Sequence, residues 1–468
     1  MPPTPACDRC HSVKARCLSG TARACYRCYR LGHSCTYARP RGKRGRKPRV
    51  FSPCSLAFDA AKTGNCEPKL VSEASTTSSS TDETHEDDGP EMQKLPLVST
   101  LYREGVISQI TEYTSIQICN FFSFGPLLSR EMCHMIRYRV QEAPTLLLSP
   151  YAAVARVFLR SIANKTPCND ADLSNCASAL KDLRNAQITK SDYAGSFLSL
   201  GTSLVTFHRL ISGVSASTIC RHTLTLIRPF YYAGKLQGLD TRELVCLIFL
   251  DTSQSLFRAR IPVIQLQEQD PSVVNQQAGL CGSLIPLLYR VCVLASGVRT
   301  GDEEDISHSI TFDILSKELK NWSPIIPDSV FERFSPEEMM LLISQANLHQ
   351  NAARLILHRL RYPFGEQDTE AEALSSSIVE RMTHCLGVAG RYPPNITLVL
   401  LVAGSEVHEE AKREEIRSLV LKINGARFYP FIENLLMSLS RVWKARDQGT
   451  ARYLFSLFEN DPDLNIPL

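Results

Sequence analysis

The stretch CDRCHSVKARCLSGTARACYRCYRLGHSC, residues 7–35, carries six cysteines and says one thing twice: CDRCHSVKARC and CYRCYRLGHSC share the pattern C-x2-C-x6-C. Three uses of sulfur compete for it. A disulfide framework belongs to an oxidising compartment, and the N-terminus MPPTPACDRC has no apolar signal region. An iron–sulfur cluster takes four cysteines per cluster in apolar surroundings, whereas this segment is densely basic. Zinc fits the spacing: a C-x2-C unit places two thiolates on one metal, and a second pair completes a tetrahedron. Six sulfurs satisfy two tetrahedra only if two thiolates bridge. The expectation is therefore two zinc ions per chain on Cys7, Cys10, Cys17, Cys25, Cys28 and Cys35, with the two half-motifs around a pseudo-twofold axis. The segment is too small and polar for a core of its own, so metal binding would supply its folding energy.

Charge divides the chain at about the same place. Residues 1–50 hold 13 Lys or Arg and one acid, Asp8, while the remainder holds 39 basic and 47 acidic residues. Such a split points to a basic arm for a polyanion and an ordinary globular body. From Arg39 to Arg49 the basic residues Arg39, Arg41, Lys43, Arg44, Arg46, Lys47 and Arg49 alternate with Pro and Gly. An arm like this cannot pack a core, but it can neutralise phosphates, which gives salt-dependent affinity without sequence information. So dense a basic run also reads as a nuclear import signal, and the expected location is the nucleus.

The intervals Cys7-x2-Cys10-x6-Cys17-x7-Cys25-x2-Cys28-x6-Cys35 resemble, at every step, the Zn2Cys6 binuclear cluster of fungal transcription factors. The resemblance implies that Cys7 and Cys25 are the bridging ligands. It also implies that the helix after the first cysteine pair enters the major groove of double-stranded DNA and reads a CGG-type triplet. Lys14 falls on the base-contacting position, flanked by His11, Val13 and Arg16. Guanine presents the O6 and N7 acceptors that a lysine there can meet. This chain departs from the family in having Val13 where a second basic residue is common and His11 where arginine is usual. An altered or weakened triplet preference is therefore expected. With six cysteines complete, His11 and His33 read as surface or DNA-facing groups. GRKPR, residues 45–49, also resembles an AT-hook type of minor-groove insert.

Beyond the basic arm, residues 51–97 lose periodicity. EASTTSSSTDETHEDDGPE is Ser/Thr-rich and then acidic, a composition expected to be a disordered linker. Many relatives carry a coiled coil after the cluster, but no heptads run between 50 and 100, and Pro96 breaks the best stretch. Binding as a monomer and pairing through the large domain both stay open.

From residue 98 to 468 the pattern is helical, and an all-α domain of stacked helices is expected. SPEEMMLLISQANLHQNAARLILHRLRYPF, residues 335–364, is the clearest helix. Ser335 is its N-cap, Pro336 suits the first position, Glu338 closes a capping box, and Pro363 stops it. His349 and Gln350 interrupt its apolar stripe and read as a satisfied polar pair in the core, with a small-molecule pocket as the sharper alternative. Further helices are expected around 145–163, 196–212, 216–229, 241–258, 278–297, 374–388, 405–422 and 429–446. The eleven cysteines outside the cluster are scattered and read as small buried hydrophobes. LILHRLRYPFG, TLVLLVAGSEV and VWKARDQG resemble the regulatory domain found behind such clusters in fungi, with Trp443, Asp447 and Gly449 fitting its closing motif.

Enzyme signatures are missing from the sequence. There is no Walker A loop and no G-x-S-x-G, and HEEAK at 408–412 puts Lys412 where a zincin needs its second histidine. The apolar runs LVCLIFL and ITLVLLVAG are far shorter than the about 18 residues of a membrane span. The reading is a DNA-binding regulator of RNA polymerase II genes, with DNA and the transcription machinery as partners and no membrane. Its compact length and missing coiled coil resemble regulators inside secondary-metabolite gene clusters, activation being the family's common mode. FENDPDLNIPL at the C-terminus mixes acidic and apolar residues as activating tails do. Control of a nutrient-catabolic pathway is the alternative, and a zinc module that binds protein is the alternative of a different class.

Overall fold

The computed structural model describes residues 7–12, 28, 34–36 and 38 near the N-terminus, and residues 115–460 apart from 164–167, 213–215, 237, 268–269, 271–272, 302–304 and 424–428. The expected linker, 51–97, lies outside the described residues. These residues fall in two units, one within Met1–Pro90 and one within Glu91–Leu468, and each is taken by itself.

The first unit contains α1 (Asp8–Ser12). The second is built of helices: α2 (Ser115–Phe122), α3 (Pro126–Glu142), α4 (Pro144–Ile162), α5 (Asp170–Asn185), α6 (Ala194–Ser212), α7 (Ser217–Tyr232), α8 (Leu239–Phe257), α9 (Ile285–Thr300), α10 (Asp305–Asn321), α11 (Asp328–Arg333), α12 (Pro336–Arg361), α13 (Asp368–Ala389), α14 (Thr397–Ser405), α15 (Glu410–Lys422), α16 (Tyr429–Asp447) and α17 (Leu454–Asn460). Among the described residues the β-pairing is a single isolated bridge, Asn275 to Gly279. The large domain is all-α, as its periodicity implied.

The two apolar runs of the sequence become its central helices. Every residue of α8 from Glu243 to Phe257 is buried, and so is every residue of α14. A helix with no solvent face shows no amphipathic stripe, which is why these runs stand out as blocks. Around α8 pack α6, α7, α9, α14 and α17, and α12 lies lengthwise against α13. Two stretches, Pro144–Ile162 and Cys281–Thr300, are long and apolar enough to cross a membrane by length and composition, with 56% and 44% of the apolar window buried inside the domain. The sequence reading expected helices over both stretches but no membrane-length run, because their apolar residues are interspersed with small and polar ones.

α12 follows its end signals. The Ser335 hydroxyl accepts from the Glu338 backbone N–H at 3.2 Å, and the Glu338 carboxylate accepts from the Ser335 N–H at 2.9 Å. Elsewhere the boundaries moved. The helix expected over 278–297 starts at Ile285, after a tight turn through Gly279 (φ +55°) and a 3-10 turn at Cys281–Ser283, with Pro286 in its first turn. The stretch 405–422 splits, because α14 ends at Ser405 and α15 begins at Glu410. α7 runs through Pro229 to Tyr232.

One buried charge cluster joins the ends of four helices. Arg359 of α12 meets Glu406, just beyond α14, through Nε–Oε1 at 3.0 Å and Nη2–Oε2 at 2.6 Å, and it meets Asp368 at the start of α13 at 2.6 Å. Arg446 of α16 lies 3.6 Å from the same Glu406 and donates to the Ser405 carbonyl. The Phe364 ring takes both guanidinium groups on its faces, at 5.2 and 4.3 Å from the centroid. Next to this cluster Trp443 Nε1 donates to the Gly404 carbonyl at 2.7 Å, and Arg413 grips Asp447 with two bonds of 2.8 and 2.6 Å. Gly404 permits the close approach of α14 to α16: a Cβ there would stand 2.7 Å from Leu439.

Breaking a buried ion cluster by removing one partner leaves an uncompensated charge. Glu406→Gln is expected to lower the unfolding free energy by about 3 kcal/mol, read from urea unfolding midpoints. Glu414→Gln, in the exposed 2.8 Å pair with Arg417, is expected to stay within about 0.5 kcal/mol of wild type.

Candidate metal centre

α1 begins directly after Cys7, so the first cysteine pair sits on the entry and first turns of a short helix. The sulfurs of Cys7, Cys10 and Cys28 lie within 4.8 Å of one another, and all three residues are buried. Cys35 packs against the group from a half-buried position. The Cys7 and Cys28 sulfurs are 3.7 Å apart. That is far beyond the about 2.05 Å of a disulfide bond. It equals the edge of a tetrahedron of thiolates about 2.3 Å from a central zinc. The Cys7 sulfur also accepts the Cys10 backbone N–H at 3.4 Å, an interaction that favours thiolate. The donor set suits a soft, tetrahedral metal, and these cysteines can hold one.

The arrangement joins the two half-motifs. Cys7 and Cys10 belong to the first and Cys28 to the second, so Cys7 faces sulfur from both. A clasp that sequence reasoning missed closes the same segment. Asp8 accepts from the Thr36 hydroxyl and the Ala38 N–H, both at 2.8 Å, and its own N–H donates to the Thr36 carbonyl at 2.9 Å. The start of the first half-motif is thereby tied to the residues just past the sixth cysteine. The one signal in the sequence was that Asp8 is the sole acid among the first fifty residues.

Of the other expected site residues, His11 lies on α1, and nothing more of it is described. Cys17, Cys25, Val13, Lys14, Arg16, Arg39, Arg41, Lys43, Arg44, Arg46, Lys47 and Arg49 lie outside the described residues.

In the helical unit, His349 and Gln350 are buried as the sequence suggested, but the pair is only partly satisfied, since His349 Nδ1 has no hydrogen-bond partner among the described residues. His349 Nε2 bonds the Asn395 carbonyl at 3.0 Å, and the Gln350 amide donates to the carbonyls of Leu319 and Trp322 at 2.6 and 2.7 Å. His408 of the HEEAK stretch lies 2.6 Å from Arg446, not beside a second ligand. Cys119, Cys176, Cys220, Cys246, Cys281, Cys292 and Cys385 are free and buried, while Cys133 and Cys168 are half-buried. Burial pushes Cys246 and Cys176 up to about 12, so these thiols stay protonated and inert. Cys133 of α3 packs against the buried cluster that holds Cys119 of α2, a proximity that their separation in sequence conceals.

Residues 173–464 match the family described as the fungal specific transcription factor domain. The match covers more than half of the chain and contains all three segments whose resemblance was noted above. The chain belongs to this family. It is a fungal transcriptional regulator, and the family is a regulatory and not an enzymatic one. No curated protein and no solved structure matches it.

Metal content tests the centre directly. Full-length protein purified with zinc is expected to carry two zinc ions per chain by elemental analysis, as the cysteine spacing requires. Cys7→Ser is expected to lose both, whereas Cys168→Ser, far along the chain, should leave the content unchanged. One ion per chain in the wild type would exclude a shared cluster.

Two buried groups pull the pH response of the helical unit in opposite directions. Burial pushes Glu243 up to about 7, over the opposing pull of the Ser199 hydroxyl at 2.6 Å and of Arg139. Burial pushes His349 down to about 4. From about pH 4.5 to 7 the folded chain keeps a Glu243 proton that the unfolded chain loses, so this contribution to stability is full at low pH and falls as pH rises. From about pH 6.5 down to 4 the unfolded chain takes up a His349 proton that the folded chain refuses, so this contribution falls as pH drops. The two oppose each other. Relative to wild type, Glu243→Gln is expected to make stability rise with pH across the overlap, and His349→Gln to make it fall. Each slope should approach 1.4 kcal/mol per pH unit, measured by urea unfolding between pH 4.5 and 6.5.

Proposed function

We propose that this protein is a sequence-specific DNA-binding transcription factor of the Zn2Cys6 type, acting on RNA polymerase II genes in the nucleus. The observation that carries the reading is the doubled C-x2-C-x6-C repeat, three of whose sulfurs are gathered across the two half-motifs, in a chain with a fungal transcription factor domain. In this reading Cys7, Cys10, Cys17, Cys25, Cys28 and Cys35 hold two zinc ions, with Cys7 and Cys25 shared. The position of Cys7, facing sulfurs of both half-motifs, supports that role. Zinc supplies structure here: it fixes the backbone that presents α1 to the major groove.

Lys14 then reads the guanine edge of a CGG-type triplet, with His11, Val13 and Arg16 beside it. The seven basic residues from Arg39 to Arg49 neutralise phosphates and double as the import signal. Residues 1–50 form the DNA-binding module, 51–97 a spacer, and 98–468 the regulatory domain that connects to the transcription machinery. The genes are those of a secondary-metabolite cluster, which the protein activates.

Selection of bound sequences from a random DNA pool, with full-length protein and zinc, is expected to enrich CGG-type triplets. One triplet would define a monomer, and two at fixed spacing a dimer. Lys14→Met should weaken binding to the selected site by about tenfold or more and leave general, salt-sensitive binding in place. Enrichment of no sequence would overturn specific recognition and favour a protein-binding zinc module. Deleting the gene should abolish a metabolite without a growth defect, and failure to grow on one nutrient would place the targets in catabolism instead.

A further inference from the structure

A cavity of about 350 Å³ opens within the helical domain where three chain segments end together. Its wall takes Arg209 from the last turn of α6, Arg391 and Tyr392 from the loop after α13, and Lys422 from the end of α15. Phe121 and Phe122 of α2 and Phe431 of α16 complete it. The size lies at the lower end of the range of about 300–1,000 Å³ typical of small-molecule sites. No Asp or Glu is among the lining residues.

The three cations are not equivalent. Arg391 is occupied: its guanidinium donates to the carbonyls of Asn120, at 3.0 Å, and of Phe124. Lys422 is exposed at the rim. Arg209 makes no hydrogen bond or ion pair to a described residue. Its charge rests only near the face of Phe122, 6.0 Å from the centroid, and desolvation pushes it down to about 10. Among the other arginines of the domain, Arg139 meets Asp240 and Glu142, Arg359 meets Glu406, and Arg413 meets Asp447, whereas Arg260 meets the Ser217 hydroxyl and Arg391 backbone carbonyls. The helix C-terminus beside Arg209 favours a cation, by about 1 kcal/mol at most for such a site, but it does not satisfy a five-donor fork. Arg209 is half-buried, so its guanidinium reaches the cavity with donors available to an acceptor there. An anion entering the cavity would supply the acceptor, and the aromatic rings around it would take a flat apolar body.

We propose that this cavity is a ligand site for an aromatic carboxylate, with Arg209 pairing the carboxylate and Phe121, Phe122, Tyr392 and Phe431 enclosing the ring system. Lys422 at the mouth steers the anion in. This site does not depend on how the N-terminal unit reads DNA.

The test is isothermal titration of the zinc-loaded full-length protein, without DNA, using 2-naphthoate and its uncharged counterpart 2-naphthamide. Naphthoate is expected to bind with one site per chain, and the amide about tenfold or more weaker. Arg209→Met should weaken naphthoate by about tenfold or more and leave the amide unchanged. Absence of naphthoate binding, equal binding of acid and amide, or an unchanged affinity in Arg209→Met would each overturn the proposal.

Discussion

The buried contact between Arg359 and Glu406 is the point on which the helical domain turns. Both side chains are almost fully excluded from water, and the carboxylate is shared with Arg446. Charges so placed cost several kcal/mol each to desolvate and are tolerated only when geometry and further hydrogen bonds compensate. Here Arg359 also donates to the carbonyls of Pro363 and Glu366, at 3.2 and 2.9 Å, so the chain leaving α12 is bound to the guanidinium that α12 carries. Four helices therefore meet at fixed angles at a place where apolar packing alone would allow sliding. The same cluster explains the diffuse signature of the family. Arg359 and Phe364, Glu406, and Trp443 with Asp447 lie in three separate sequence segments, and they form one unit only after folding.

What the sequence disclosed followed from how each element is held. α12 was legible from end to end because its capping box is local: Ser335 and Glu338 satisfy each other's backbone groups with no help from the rest of the fold. The central helices α8 and α14 were visible as apolar blocks. α2, α3, α5, α10, α11 and α17 went unrecognised. α3 shows why: it places Arg139 in the interior, where Asp240 and Glu142 neutralise it, so its inward face does not look apolar. The start of α9 was misplaced because the preceding apolar residues Ala278, Leu280 and Leu284 are buried from a turn and not from a helix. Periodicity detects what is buried; it cannot tell a helix from a buried turn that leads into one.

The metal centre was legible for a different reason. Cysteine spacing is a chemical constraint on ligand geometry and owes nothing to hydrophobic pattern, so Cys7, Cys10 and Cys28 were named together before any fold was considered. Asp8 was not, because its role depends on Thr36 and Ala38 arriving beside it from 28 and 30 residues away. A carboxylate in a strongly basic segment would ordinarily be read as a stray charge or as a mild hindrance to polyanion binding. Its hydrogen bonds to Thr36 and Ala38 give it a positional role instead, in drawing the two ends of the cysteine segment together.

The two units thus solve the same problem with opposite means. The first has too little apolar surface to fold by burial and gathers sulfur. The second has apolar surface in excess and can therefore carry charges inside. Arg139, Arg359 and Arg413 are matched by acids, and the matching fixes how helices meet. Arg209 is not matched, and it faces a cavity rather than a helix. The carboxylate proposed for that aromatic-lined space would be an acceptor that the described residues do not provide. A ligand that binds the folded domain and not the unfolded chain would stabilise it, so occupancy of the proposed site and stability of the domain would be linked through Arg209.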